Sequence, residues 1–191
     1  MDVWEAIKGR RSIRRFDEKR KISLDILKDL VDAGRLAPSA ANLQPWEFII
    51  VNDRQKCEEI FPHLKWAGYI APEGTPCKGE RPVSYIILMA NLKINKDFQH
   101  DFGAAAQNIM LAAHSIGIGS CLMSAIDRDQ IRKILNIPFE YHIDTLIALG
   151  YPEEKPTIEE AKDSIKYYKD SEGELHVPKR SLEKITHINK W

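Results

Sequence analysis

The amino-acid sequence predicts an α+β sandwich in which helices flank a sheet of about four or five strands, and three observations carry that reading. Amphipathic segments at helical spacing and short apolar runs follow one another in mixed order. One run, "VSYIILMA", is apolar almost throughout, the mark of a strand covered on both faces. The 191 residues suffice for one domain with a real core, so a single domain over residues 1–191 is expected.

Taken in order, Asp2 with Glu5 makes a capping box for a first helix that carries Val3, Ala6 and Ile7 on one side and stops near Gly9. Ser23 caps a second helix, whose Leu24, Leu27, Leu30 and Val31 recur at helical spacing until Pro38 ends it. "FIIV", from Phe48, reads as a buried strand, and Asp53 opens a helix that turns Cys57, Ile60 and Phe61 inward. The segment Pro62–Pro82 then holds four prolines and three glycines around Trp66 and Tyr69, which makes it the longest irregular stretch and a candidate functional loop.

After "VSYIILMA" comes "DFGAAAQNIMLAAHSIG", Asp101 to Gly117, small and apolar nearly all round. That is the composition of a central helix buried against other helices or a partner chain. A short strand follows in "IGSCLM", Asp127 with Gln130 gives a second capping box for a helix bearing Ile131, Ile134 and Leu135, and "DTLIALG" from Asp144 is the last clear strand. From Tyr151 onward the chain is charged, weakly periodic and without a core pattern of its own, so it is expected to lean on something or stay disordered.

Composition excludes several classes. Lysine plus arginine and aspartate plus glutamate both total 28, so any basic site is local, and neither nucleic acid nor a membrane is an expected partner. The apolar runs are far shorter than a membrane span, and "MDVWEAIKGRRS" lacks the apolar stretch of a secretory signal, which makes the expected location cytoplasmic. Cys57, Cys77 and Cys121 are odd in number and form no CxxC, and the six histidines form no HExxH. Reduced thiols and no metal are expected; Cys77 is either a reactive loop thiol or an inert residue. "GIG" at Gly117 lacks the third glycine of a dinucleotide fingerprint, where Leu122 stands, and neither GxxxxGK[ST] nor GxSxG occurs.

Two stretches call for chemistry. "GRRSIRRF", Gly9 to Phe16, gathers Arg10, Arg11, Arg14 and Arg15 around Ser12. Guanidinium forks match phosphate oxygens two at a time and a serine hydroxyl can complete such a cradle; the alternative is a solvated basic loop paired with Asp17 and Glu18. "APSAANLQPWEF", Ala37 to Phe48, sets small residues beside Asn42 and Gln44 between a helix end and a strand. Small side chains let the backbone approach a flat ligand whose edge the amides can bond, or the stretch is an ordinary connection with a buried tryptophan.

Together with "DFGAAAQNIMLAAHSIGIGSCLM", "ALGYPEEKP" and "KRSLEKI", in that order, these segments resemble the FMN-dependent nitroreductase family over most of the chain. The resemblance implies a three-layer α+β sandwich with a mixed, mainly antiparallel sheet, working as an intertwined homodimer with two FMN molecules at the interface. Arg10, Arg11, Ser12 and Arg14 would then hold the phosphate, ribityl chain and pyrimidine edge, with Lys179 and Arg180 adding charge at the phosphate, while Arg15 only forms an ion pair. Pro38, Ser39, Ala40 and Asn42 would approach the same flavin from the other subunit. Met123, Ser124 and Ala125 would lie beside the isoalloxazine, a backbone N–H reaching N5.

The implied activity is that of an FMN-dependent NAD(P)H oxidoreductase, transferring hydride by a ping-pong course through flavin N5 to nitroaromatic, quinone or similar small-molecule acceptors. No catalytic side chain is implied, because the cofactor carries the chemistry. The alternatives are dehalogenation, enoate reduction, flavin fragmentation or non-catalytic FMN binding; a basic module for nucleic acid or an acidic partner is disfavoured by the zero net charge. Residues 151–191 would wrap the partner subunit and residues 62–82 would form a lid. Trp66 and Tyr69 either stack on an aromatic acceptor or anchor that loop to the core. Ser124 and Ala125 stand where relatives often carry glycine, and the 62–82 loop replaces a helical insertion found in larger relatives.

Overall fold

Strand alternation organises the core. In the computed structural model, which describes residues 1–191, β1 (Trp46–Val51), β2 (Ser84–Asn91), β3 (Gly119–Met123) and β4 (Tyr141–Gly150) form an antiparallel sheet in the order β1-β2-β4-β3. Successive side chains point to opposite faces. Ile86, Leu88 and Ala90 therefore join Ile147 and Leu149 on one face, while Tyr85, Ile87 and Met89 join Leu146 and Ala148 on the other. The first face is covered by α2 (Leu24–Arg35) and α4 (Gln99–Ser115), the second by α3 (Arg54–Ile60) and α5 (Arg128–Leu135). The three layers are those of the expected α+β sandwich.

The helix caps follow the sequence. Asp2 and Glu5 bond each other's backbone N–H at the start of α1 (Val3–Gly9), at 2.8 and 2.9 Å. Ser23, Asp53 and Asp127 cap α2, α3 and α5, but the expected box at Asp127 is only half made, because the Asp127 N–H goes to the His63 carbonyl and not to Gln130. Helix α4 begins two residues earlier than expected, at Gln99, without a side-chain cap, so Asp101 lies inside its first turn and is buried. β4 begins at Tyr141, three residues before the apolar run that announces it. The cause is a bulge: Leu88 pairs with Thr145 but Met89 with Ile143, so Asp144 is an extra residue that breaks the sequence period. Arg128 reaches across to donate to the carbonyls of Ile143 and Asp144, at 2.8 and 2.7 Å.

Residues 10–17 run as an extended strap over one end of this sheet. The Ile13 N–H donates to the Ser120 carbonyl at 2.9 Å, the Phe16 N–H to Glu80 at 3.0 Å and the Asp17 N–H to Tyr151 at 2.9 Å. Ile13 and Phe16 are buried plugs, and each sits on a glycine of a facing pair, Gly119 and Gly150. A Cβ on Gly119 would lie 3.0 Å from Ile13, and one on Gly150 would lie 2.8 Å from Phe16. The plugs anchor the strap and leave the arginines between them free of the core.

The tail departs from expectation. It folds into a small sheet of its own, β5 (Thr157–Glu160), β6 (Tyr168–Lys169) and β7 (Leu175–Lys179), with β7 in the centre, parallel to β5 and antiparallel to β6. Leu175 and Pro178 are its buried residues. The rest of its cohesion is polar: His176 lies 3.1 Å from both Glu159 and Asp170, and the Tyr168 ring stacks on it at 4.9 Å. Charged pairing of this kind produces no hydrophobic period, which is why the sequence shows none. Beyond β7, Leu182, Ile185, Ile188 and Trp191 stay exposed.

Two predictions follow from these contacts. Gly150→Ala forces the fully buried Phe16 to move, and overpacking of this kind lowers the unfolding free energy by about 1–3 kcal/mol, measurable by denaturant titration. The second concerns pH. The Asp170 hydrogen bond, and then that of Glu159, hold the His176 pKa above its ordinary 6.5, against the opposing pull of desolvation, while His176 holds Asp170 below its ordinary 3.8. The histidine's contribution is therefore complete below pH 6.5 and lost as pH rises through its raised value; the aspartate's is complete above pH 3.8 and lost as pH falls through its lowered value. Amide protection in β5 and β7, corrected for intrinsic exchange, should fall on both sides of that window, and His176→Gln should abolish the fall on the alkaline side.

Candidate functional site

Arg10 and Arg11 of the strap line a cavity of about 480 Å³ between the end of α1, the end of α4 and residues 152–158, whereas Ser12 and Arg14 lie outside its lining. The Arg10 Nε is sealed from solvent with no acceptor, and burial pulls the Arg10 pKa below its ordinary value. Arg11 is lowered by burial and then by Arg10; it donates to the Lys8 carbonyl at 2.7 Å and to the Arg10 carbonyl. His114, from the last turn of α4, lines the same cavity and is lowered by burial and then by both arginines. Three crowded basic groups, whose charged forms burial and mutual repulsion disfavour, are what an anion would relieve.

The neighbouring strap residues divide by role. The Ser12 backbone bridges to Ser120 in parallel, next to Cys121, whose thiol burial pushes up. The Arg14 N–H donates to the Glu154 carboxylate, and its guanidinium lies 5.1 Å from the Tyr167 ring centre. Arg15 is taken up by a 2.8 Å ion pair with Glu80 and a bond to the Glu73 carbonyl, which leaves it outside the cavity lining. From Ser120, β3 leads to Met123, about 10 Å further along at strand rise. Met123 is buried, while Ser124 and Ala125 are exposed and their N–H groups make no hydrogen bond within the chain. Their carbonyls are occupied: Ser124 accepts from Arg128 at 3.1 Å and Ala125 from the Lys65 N–H at 3.0 Å. An open donor edge thus lies in line with the arginine cavity.

The remaining candidates lie elsewhere. In the loop between α2 and β1, Pro38, Ala40 and Asn42 are exposed and Ser39 is half-buried. Ala41, Asn42 and Gln44 adopt left-handed φ of 49°, 56° and 50°, a conformation that costs non-glycine residues about 1–2 kcal/mol each. Two bonds hold the loop against that cost: the Gln44 N–H to the Ser39 hydroxyl and the Ala40 N–H to Asp101, both at 3.0 Å. Asp101 stands in the first turn of α4 and His114 in its last, so within one chain about 20 Å of helix separates this loop from the arginine cavity. Lys179 and Arg180 are exposed at the end of β7, with Arg180 donating to the Lys184 carbonyl at 3.1 Å, and neither lines that cavity.

The structure separates the two loop aromatics. Trp66 is 6 % exposed and packs on Phe61 with ring centres 5.8 Å apart, so it anchors the loop to the core. Its expected contact with an acceptor is corrected accordingly. Tyr69 is 60 % exposed, with Tyr167 4.9 Å away. The start of the 62–82 loop runs beside Ser124–Asp127 through the Leu64–Ile126 bridge and the Asp127 N–H bond to His63 at 2.9 Å. Cys77 is exposed, whereas burial pushes Cys57 up to about 12. His114 and Glu154 escaped the reading of the sequence as site residues, although both lie in segments that carry the resemblance, "LAAHSIG" and "GYPEEKP". The donor set fits a phosphorylated, elongated ligand: unengaged buried guanidinium at one end and free backbone N–H groups at the other.

Comparison with known proteins identifies the family. The Nitroreductase family model matches residues 7–151. A Methanothermobacter thermautotrophicus protein, provisionally named NADH dehydrogenase/NAD(P)H nitroreductase, is 37% identical over 162 residues, which cover 82% of this chain and 80% of that one. Among solved structures, an FMN-dependent nitroreductase from Clostridium difficile superposes with a TM-score of 0.71 at 27% identity, covering 99% of this chain and 100% of the other. A nitroreductase with bound FMN from Bacteroides fragilis gives 0.65 at 27% identity, over 86% and 95%. With a matched segment that includes the arginine strap, the α2–β1 loop and the β3 edge, the chain belongs to the nitroreductase family.

Proposed function

We propose that the protein is an FMN-dependent NAD(P)H oxidoreductase that works as a homodimer, each flavin lying between the arginine strap of one chain and the α2–β1 loop of the other. The observation that carries this reading is the partition of the site. The cationic cavity and the strained loop stand at opposite ends of α4, and a second copy placed across that helix supplies the missing half of each. The exposed apolar side chains Val3, Trp4 and Ile7 of α1, and Leu182, Ile185 and Ile188 of the tail, support burial by such a partner.

In this reading Arg10, Arg11, Ser12 and Arg14 hold the phosphate and the adjoining chain, and Lys179 and Arg180 add charge at the phosphate. Charge-assisted bonds of this kind contribute about 1.5–3 kcal/mol each. Pro38, Ser39, Ala40 and Asn42 belong to the partner's contribution, held in place by Asp101. The N–H groups of Ser124 and Ala125 orient the ring system, and Met123 backs them from the core. The 62–82 loop, tied at Lys65 to Ala125, excludes water from one side and presents Tyr69 to an acceptor. FMN, when bound, would supply the two-electron chemistry between NAD(P)H as donor and a nitroaromatic or quinone as acceptor. The clustered cations favour anionic forms in this pocket.

The purified protein should be yellow, NAD(P)H should bleach it without oxygen, and a quinone or nitroaromatic should restore the colour over many turnovers. A yellow protein that NAD(P)H leaves unbleached would overturn the electron donor, and one that bleaches once without turnover would make it a carrier. The shared site has its own test. Homodimers of Arg10→Ala/Arg14→Ala should bind FMN about a hundredfold or more weakly, since at least two charge-assisted bonds are lost. Mixing those chains with Asn42→Ala chains should restore one tight site per dimer, counted by flavin absorbance per chain. No restoration on mixing would place both halves of the site in one subunit.

A further inference from the structure

On the α3 side of the sheet lies a second cavity, of about 410 Å³, enclosed by the start of β2, helix α3 and the segments 18–21 and 78–83. It shares no lining residue with the arginine cavity, the α2–β1 loop or residues 123–125. Its wall is cationic. Lys19, Lys21 and Lys78 line it without an acidic partner, whereas its two carboxylates are engaged: Glu58 with Arg54 at 2.9 Å, and Glu18 with the N–H groups of Gly79 and Arg81.

Two donors in this cavity are sealed from water and have no acceptor. One is Nε of Arg81, whose guanidinium lies 4.3 Å from the Phe61 ring centre. The other is the hydroxyl of Tyr85, a side chain that is 0 % exposed. Desolvation raises the Tyr85 pKa well above its ordinary value, so the phenol stays a neutral donor. A buried donor without an acceptor is costly, and two lining one cavity mark a place where an acceptor belongs. The Cys57 thiol in the same wall is directed to the carbonyls of Val51 and Val83, at 3.7 and 3.6 Å, and is not available as a nucleophile. The cavity is therefore built to bind.

We propose that it takes a small aromatic anion, with its carboxylate or phosphate between Lys21, Lys78 and Arg81 and its ring along the surface formed by the Phe61–Arg81 stack and Val83. A guanidinium stacked on a ring presents a flat, weakly hydrated platform to a second ring, and the unpaired lysines supply the charge. The site is separate from the flavin cradle, so its occupancy does not depend on Arg10 or Arg14.

Calorimetry on the purified full-length protein with benzoate, phenyl phosphate and the uncharged benzyl alcohol tests this. One or both anions should bind one per chain, more weakly as salt rises. Lys21→Ala should weaken that binding about tenfold, and Tyr85→Phe severalfold, with FMN content unchanged in both variants. The Arg10→Ala/Arg14→Ala protein should bind the anion as the parent does. A preference for phenyl phosphate assigns the site to phosphate esters and a preference for benzoate assigns it to carboxylates; either supports the proposal. Equal binding of benzyl alcohol, parental affinity in the lysine variant, loss of binding in the arginine variant, or no binding of either anion would overturn it.

Discussion

Everything in this site depends on how the strap of residues 10–17 is pinned to the sheet. Ile13 and Phe16 enter the core where Gly119 and Gly150 face each other across β3 and β4, and only the absence of two side chains makes that approach possible. Full burial of an aromatic side chain contributes about 1.5–3 kcal/mol, which is enough to fix an otherwise irregular segment. With the plugs fixed, Arg10 and Arg11 are held at the cavity and Arg14 beside Tyr167, while Arg15 is spent on Glu80 and the Glu73 carbonyl. The same contact thus sets the fold's edge and the cavity's charge.

Helix α4 imposes the second constraint. Its small buried residues, Ala105, Ala106 and Ala113, let it lie close over the sheet, and its first and last turns each hold one functional element. Asp101 steadies the strained α2–β1 loop at one end, and His114 faces the arginines at the other. A rigid rod of this length keeps the two apart within a chain, so the proposed dimer is a consequence of helix geometry as much as of exposed apolar surface. The left-handed residues in the loop store local strain, and in the proposed dimer this is where the flavin meets the backbone.

The polar parts of the molecule follow a different logic from the core. The tail sheet is held by His176 between Glu159 and Asp170, an arrangement that depends on proton occupancy in a way the apolar layers do not. On the other side of the sheet, lysines without partners surround two buried donors that lack acceptors. Such local excesses coexist with a formal net charge of zero because opposite charges are distributed elsewhere over the surface.

Much of the architecture was legible in the residues. Capping at Asp2, Ser23, Asp53 and Asp127, the apolar run of β2 and the small-residue face of α4 are local signals, written by hydrogen-bond chemistry and periodicity within a few positions. The arginine cluster and the Ala37–Phe48 stretch stood out by composition, but composition alone did not choose between a ligand site and ordinary loops; the family resemblance did. The tail sheet, the bulge at Asp144 and the part played by His114 and Glu154 were not legible, and for Arg15 and Trp66 the residues offered a role, ion pairing and anchoring, without the partner. Each of these depends on which distant segment comes to lie alongside: Glu80 for Arg15, Phe61 for Trp66, Glu159 for His176. Sequence by itself determined the elements and the kind of chemistry available, because these arise between near neighbours; tertiary structure alone decided which charges are free and which are paired, because partners for charged side chains are chosen by packing across the chain.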